Sequence, residues 1–291
     1  GDMLARLQGG GAALTEVTRG VLYLCGTPIG NLEDITLRAL RVLREADLIA
    51  AEDTRHTRKL LSHYDIHTKL TSYHQHNMRA KGPVLLELLE AGKNIALVSD
   101  AGMPGISDPG AELVALALQK GYEVIAIPGP STVITALVTS GLSTESFYFV
   151  GFLPATVKAR RERLKELRTQ QGTLIFYEAP HRLRTTLADM LDLFGNRRAT
   201  AARELTKVHE EVIRSSLSEL VELYEKKEPR GEYTLVVEGA GKDSQVTSEP
   251  GWKELSIADH VALVESQGLE RKEALREVAR LRGISRREVY Q

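Results

Sequence analysis

The stretch Ala96-Leu-Val-Ser-Asp-Ala-Gly-Met-Pro-Gly-Ile-Ser-Asp-Pro-Gly110 decides the fold class. A short apolar run stops abruptly in a loop holding three glycines, two prolines and two aspartates. Glycine lets backbone approach a ligand closely, and proline keeps such a loop from collapsing. Two further loops of this kind, Gly26-Thr-Pro-Ile-Gly-Asn-Leu32 and Pro128-Gly-Pro-Ser-Thr132, also follow apolar runs. Three loops of this composition at strand ends point to a small-molecule site on an α/β sheet, where ligands sit outside the carboxyl ends of the strands.

Outward from these loops, short apolar runs alternate with helical periodicity. Strands are expected at Val21–Cys25, Leu48–Ala51, Ile95–Val98 and Val124–Ile127. Helices are expected through Ile35–Ala46 (Asp34 as N-cap), Leu60 and Leu61, Val84–Leu89 and Leu113–Leu118. This alternation predicts a mostly parallel sheet covered on both faces, over residues 21–129. From about residue 130 the pattern changes, and a second, α+β domain is expected over residues 130–240. The overall class is α/β. Residues 1–20 read as a glycine-rich leader, 241–252 as a linker, and 253–291 as a small helical module resembling a helix-turn-helix.

Composition narrows the function. The chain has 291 residues, with 38 Lys+Arg against 39 Asp+Glu and a net charge of −1. A uniformly basic nucleic-acid coat is excluded, so any RNA or DNA contact must come from a local patch. The lone cysteine, Cys25, excludes an internal disulfide and argues for a reducing compartment, hence a cytoplasmic protein. No apolar run approaches the ~18 residues of a membrane span. There is no G-x-x-x-x-G-K-[ST], no G-x-G-x-x-G after a strand, no His-Glu-x-x-His and no G-x-S-x-G. Metal ligation is not expected.

Three polar clusters are candidates for chemistry. In Glu52-Asp-Thr-Arg-His-Thr57, the side chains of a strand terminus either face an acceptor or cap a helix through Asp53 or Thr54. Here Arg55 could hold a phosphate. In Tyr73-His-Gln-His-Asn77, two histidines point to one side, and substrate contact competes with a plain surface loop. Glu178 and His181 form the third cluster. Asp100, at a strand end, could accept from an amine or a hydroxyl, or cap a turn.

Six ordered blocks carry a resemblance: Thr27-Pro-Ile-Gly-Asn-Leu-Glu-Asp-Ile-Thr36, Ala51-Glu-Asp-Thr-Arg-His56, Ser99-Asp-Ala-Gly-Met-Pro-Gly-Ile-Ser-Asp-Pro-Gly110, Pro128-Gly-Pro-Ser131, Phe176-Tyr-Glu-Ala-Pro-His-Arg182 and Ala202-Arg-Glu-Leu-Thr-Lys207. Together they resemble the ribosomal RNA small-subunit methyltransferase I family, within the tetrapyrrole-methylase-like S-adenosylmethionine (SAM) enzymes. The resemblance runs from about residue 21 to 240. It implies a two-domain fold with SAM in the cleft, and 2′-O-methylation of a cytidine ribose in 16S rRNA of the small ribosomal subunit. A homodimer is implied as well. By resemblance, Pro28, Asp100, Met103, Ile106, Ser131, Thr132, Tyr177, Leu205 and Thr234 line the cofactor pocket. The family's loop commonly carries a smaller residue where Met103 stands.

Methyl transfer needs an aligned donor and acceptor, and a base adds to the rate. Asp53, Glu52 and His74 are the candidate bases, unranked, with Arg55 beside them. Two basic segments, Lys158–Arg168 and the arginine-rich 271–287, are expected to form phosphate-tracking surfaces or solvated helix faces. The rival functions are a tetrapyrrole (precorrin-type) C-methyltransferase on the same fold, and a non-enzymatic, ligand-sensing DNA-binding regulator.

Overall fold

A computed structural model describes residues 18–241, Trp252 and residues 255–291. Most of the expected leader and linker lies outside the described residues. The chain divides into two compact units. The first holds the described residues up to Lys165 and Gly172–Glu238; the second holds Glu166–Gln171 and the described part of Gly239–Gln291.

The first unit contains two five-stranded sheets. One is formed by β1 (Val21–Cys25), β2 (Leu48–Ala51), β3 (Leu70–Ser72), β4 (Ile95–Val98) and β5 (Glu123–Ile127), in the order β3-β2-β4-β1-β5. All its pairings are parallel. The strands are apolar on both faces because helices cover both. Ile49, Ala51, Ala96 and Val98 pack with Leu40 and Leu43 of α1 (Leu37–Glu45) and Leu60 and Leu61 of α2 (Thr54–His63). Their neighbours in sequence, Leu48, Ala50, Ile95 and Leu97, point the other way. These pack with Leu85 and Leu89 of α3 (Met78–Glu90) and Leu113 of α4 (Gly110–Gln119).

Local departures from the sequence expectation have simple causes. The cap of α1 is Thr36, whose hydroxyl accepts from the Ala39 N–H at 3.0 Å. Asp34 instead ends a 3₁₀ turn, Leu32–Asp34, that Asn31 caps. Helix α3 begins at Met78 rather than Val84, with Gly82 and Pro83 inside it, residues that ordinarily signal a helix boundary. β3 was not expected, since its three half-buried residues form no apolar run.

Topology fixes where a ligand can bind. Neighbours β1 and β4 lead into α1 and α4, which lie on opposite faces of the sheet. The chain therefore leaves these two strands toward opposite faces, and the carboxyl end between them is the switch point of the sheet.

The second sheet has β6 (Phe147–Phe152), β7 (Thr173–Glu178), β8 (Arg198–Arg203), β9 (Glu211–Ser216) and β10 (Tyr233–Val237), in the order β6-β7-β10-β8-β9. β6 pairs parallel to β7, and the other pairs are antiparallel. Helix α5 (Thr132–Thr139) packs Ala136 and Leu137 against Ile175, Ala202 and Val236 of this sheet. Helix α6 (Val157–Leu167) lies in this unit up to Lys165, and α7 (Leu183–Phe194) and α8 (Leu217–Lys226) lie in it whole. Along α6 two of the arginines expected to track phosphates are paired with carboxylates of α7. Arg160, with only 5% of its side chain exposed, bonds Asp189 of α7 at 2.8 Å, and Arg161 bonds both Asp189 and Asp192.

The second unit builds α9 (Ile257–Ser266), α10 (Arg271–Arg282) and α11 (Arg286–Tyr290) around Val261, Val264, Leu275, Val278 and Val289. Gly283 ends α10 in the left-handed region (φ 63°), and Ser285 with Glu288 forms a capping box for α11. Arg282 bonds His260 Nδ1 at 2.9 Å and the Trp252 and Leu255 carbonyls at 2.8 and 2.6 Å. Burial and this guanidinium lower the pKa of His260.

Candidate active site

The three glycine- and proline-rich loops are joined to one another by backbone. Thr27 and Gly102 exchange N–H to carbonyl bonds of 3.1 and 3.0 Å, an isolated antiparallel bridge between the first and second loops. Gly26 and Gly129 bring the first and third loops together. A Cβ on Gly26 would lie 2.8 Å from Gly129 Cα and 2.9 Å from Met103 Sδ. Gly102, at φ 77°, would place a Cβ 3.2 Å from the Pro130 carbonyl oxygen. Gly26 and Gly129 are therefore required by loop-to-loop contact, and Gly102 by its backbone conformation as well.

These loops border a cavity of about 480 Å³ in the first unit. Its opposite wall is one row of the second sheet. Phe152, Tyr177, Thr234 and Ala202 are successive cross-strand partners on β6, β7, β10 and β8, and all four line the cavity. Tyr177 lies edge-on to Phe149 and Phe152, with ring centroids 5.1 and 5.6 Å away. Burial raises its pKa, and a hydrogen bond with Thr132 opposes the rise.

The polar lining is acidic: Glu52, Asp100, Asp108, Glu204 and Glu232 face the cavity, with Lys207 as the sole basic residue among them. Lys207 Nζ is itself bonded to Glu204 at 2.6 Å. Glu204 and Thr206 are both non-glycine residues in the left-handed region (φ 51° and 71°). Their turn is held by the Glu232 N–H donating to Glu204 and the Thr206 N–H donating to Glu210, each at 3.0 Å. Asp108 closes its own loop, its carboxylate accepting from the Gly105 and Gly110 N–H groups. Asp100 Oδ1 accepts from the Asp53 N–H at 3.1 Å, linking the β4 loop to the start of α2. Glu52 is pushed up from the usual carboxylate range by burial first, then by the charges of Asp100, Asp108 and Asp53.

Of the residues singled out from sequence, Glu52, Asp100, Ile106, Thr132, Tyr177, Leu205 and Thr234 share this cavity. The others stand elsewhere. Pro28 borders a second cavity beside the first. Met103 packs on Gly26, and Ser131 caps α5 by accepting from the Ile134 N–H. Asp53 caps α2 by accepting from the Arg55 N–H at 3.0 Å. Arg55 is 89% exposed, its nearest carboxylate being Asp53 at 3.8 Å. His74 accepts from the His76 N–H through Nδ1, which shapes a turn. Glu178 is buried, capping the Ala179 N–H and accepting from the Thr186 hydroxyl at 2.7 Å. Sequence reasoning overlooked Phe152, Glu204, Lys207 and Glu232. Glu204 and Lys207 stood inside a quoted block, but only the cross-strand register brings Phe152 to the cavity.

A family model described as Tetrapyrrole (Corrin/Porphyrin) Methylases matches residues 21–221. Ribosomal RNA small subunit methyltransferase I of Halalkalibacterium halodurans is 53% identical over 272 residues, 94% of each chain. The Bacillus subtilis protein of the same name is 47% identical over 271 residues, 93% of each chain. Among solved structures, uroporphyrin-III C-methyltransferase of Thermus thermophilus aligns with a TM-score of 0.55 at 23% identity, covering 76% of this chain and 94% of that one. Another structure of a Thermus thermophilus enzyme of that name, complexed with S-adenosylhomocysteine, aligns with a TM-score of 0.55 at 19% identity, covering 75% and 97%. The shared fold, and relatives matching nearly end to end, place this chain in the tetrapyrrole methylase family, in the branch of ribosomal RNA small subunit methyltransferase I.

Proposed function

We propose that this protein transfers the methyl group of SAM to the 2′-hydroxyl of a cytidine ribose in 16S rRNA of the small ribosomal subunit, in the cytoplasm, as a homodimer. The observation that carries the reading is the acidic cavity at the sheet's switch point, with Glu52 beside Asp100 and Asp108. The cavity suits SAM in size, within the roughly 300–1,000 Å³ of small-molecule sites. Its lining also suits SAM, since carboxylates favour a sulfonium and an α-ammonium while Ile106, Tyr177 and Leu205 offer apolar walls.

When bound, SAM supplies a methyl group already activated by its sulfonium, with a neutral thioether as leaving group. Asp100 accepts from the cofactor's amine or hydroxyl groups, its orientation fixed by the Asp53 N–H. Thr132, Tyr177 and Thr234 shape the opposite wall, and Pro28, Met103 and Ser131 brace the loops behind it. Glu52 holds the acceptor hydroxyl and receives its proton on a carboxylate oxygen. A positioned base of this kind contributes typically ~10²–10⁴-fold. Burial, and then the charges of Asp100, Asp108 and Asp53, make Glu52 a stronger base than an ordinary carboxylate, and it is favoured over Asp53 and His74 because it lines the cavity and they do not.

The C-terminal helices are assigned to RNA. Lys272, Arg276, Arg286 and Arg287 are exposed and have no ion pair among the described residues. For the dimer, β6 is an open sheet edge that leaves Phe147 and Tyr148 exposed. The test is ribose-methylation mapping of small subunits incubated with SAM and the protein. A porphyrinogen is assayed in parallel, because the fold neighbours include uroporphyrin-III C-methyltransferases. Methyl transfer to the porphyrinogen and none to rRNA would replace this reading, and sedimentation as a monomer would remove the dimer.

A further inference from the structure

We infer that the second cavity, together with the basic face of α2, is the seat of the acceptor nucleotide, an unpaired nucleotide of single-stranded RNA. The inference rests on the function proposed above and assigns its acceptor site. This cavity measures about 280 Å³ and shares Ser99 and Asp100 with the larger one, so the two spaces meet at the end of β4. Its remaining walls include Pro28, Leu32 and Leu60, with His56 and Lys59 of α2 beside them. A mostly apolar slot with cations at one side suits a nucleobase whose phosphates lie outside. The wall is fixed in place, since the Tyr64 hydroxyl at the end of α2 donates to the Leu32 carbonyl at 2.6 Å.

Charge selects this surface over the alternatives. An RNA strand entering the larger cavity meets five carboxylates and one lysine that is already paired. Cations must therefore stand close by to hold the phosphates. Helix α6 supplies fewer, because Arg160 and Arg161 are held by Asp189 and Asp192 and Lys165 lies 3.8 Å from Glu162, which leaves Lys158 exposed without an ion pair among the described residues. Helix α2 contains no acidic residue, and its His56, Arg58 and Lys59 are exposed without an ion pair among the described residues. The base occupies the slot, the flanking phosphates meet the His56 N–H and the Lys59 ammonium, and the ribose stands at the Ser99–Asp100 boundary, facing the methyl donor.

The test compares the wild-type chain with the His56→Ala/Lys59→Ala double variant, with Leu32→Trp, which fills the slot, and with Lys69→Ala, a surface control at the opposite end of the sheet. The readouts are steady-state methyl transfer to unmodified small subunits, SAM affinity by calorimetry, and equilibrium binding of subunits at several salt concentrations. The double variant is expected to raise KM about tenfold or more and to leave SAM affinity unchanged. Its log K against log[salt] slope should fall by about 0.7 per lost phosphate contact. Leu32→Trp should raise KM with the salt slope intact, and Lys69→Ala should match wild type. Wild-type KM and salt slope in the double variant would overturn the inference while leaving the proposed reaction standing. Transfer by wild type to a porphyrinogen but not to rRNA would instead remove the reaction, and an unaltered RNA-binding slope in the double variant would then remove the acceptor seat separately.

Discussion

Replacing Gly26 by alanine adds a single methyl group at the point where the first and third loops meet. The new Cβ would sit 2.8 Å from Gly129 Cα and 2.9 Å from Met103 Sδ. Carbon atoms rest at about 3.5–4.0 Å, so the two loops must separate by about 0.7 Å or more. The thioether can swing aside, but the contact with Gly129 is to backbone, which no side-chain rotation relieves. Overpacking of this kind costs about 1–3 kcal/mol of stability. The functional effect should be larger than that cost suggests, because a misplacement of about 1 Å can slow an oriented reaction by about 10²-fold. Denaturant unfolding, SAM calorimetry and single-turnover methyl transfer measure the three quantities on one preparation. The expected result is a folded protein with a modest loss of stability and a drop in transfer of about 10²-fold. The double variant Gly26→Ala/Met103→Ala removes the sulfur contact alone and should not restore activity. Full activity in the single variant, or rescue by the double, would refute the argument that loop-to-loop backbone contact sets the geometry of the cavity.

Glu52→Gln should lower transfer by about 10²–10⁴-fold while leaving SAM bound. Because Glu52 must be ionised to take a proton and its pKa is raised, wild-type activity should fall as the pH drops through a value above the ordinary carboxylate range; the same limb surviving in Glu52→Gln would assign it to another group. Arg160→Ala leaves Asp189 with Arg161 as its one remaining basic partner among the described residues, and should cost about 3 kcal/mol in urea unfolding, with KM for RNA unchanged. A raised KM would return α6 to the RNA surface. Cys25 is fully buried with its thiol pushed up to about 12, so iodoacetamide at pH 8 should modify it only after unfolding. Rapid labelling of the native protein would contradict that burial.

Much of the fold was legible because burial on both faces of a parallel sheet leaves compact apolar runs. β1, β2 and β4 were bounded correctly from such runs alone. β3 was hidden, as an edge strand of three half-buried residues has no such run. The loops of the site were legible for a different reason: close backbone contact requires glycine, and Gly26, Gly102 and Gly129 mark the positions where it occurs. The partners of charged residues were not legible. Arg160 and Asp189 are 29 residues apart, and nothing local distinguishes a buried ion pair from a solvated basic face. For the same reason Lys158–Arg168 read as one basic segment, although folding pairs its Arg160 and Arg161 with Asp189 and Asp192 of α7.

The placement of β1 has a consequence for synthesis. The strand is synthesised before both of its neighbours in the sheet, β4 and β5, and the Val21 N–H reaches Asn94 across a sequence separation of 73. No hairpin can shelter Val21–Cys25 in the meantime, because parallel pairing needs a long crossover. At translation speeds of about 5–20 residues per second, this apolar segment waits unpaired for several seconds. Yield on overexpression should therefore depend on the chaperone supply during elongation more than on the stability of the finished protein.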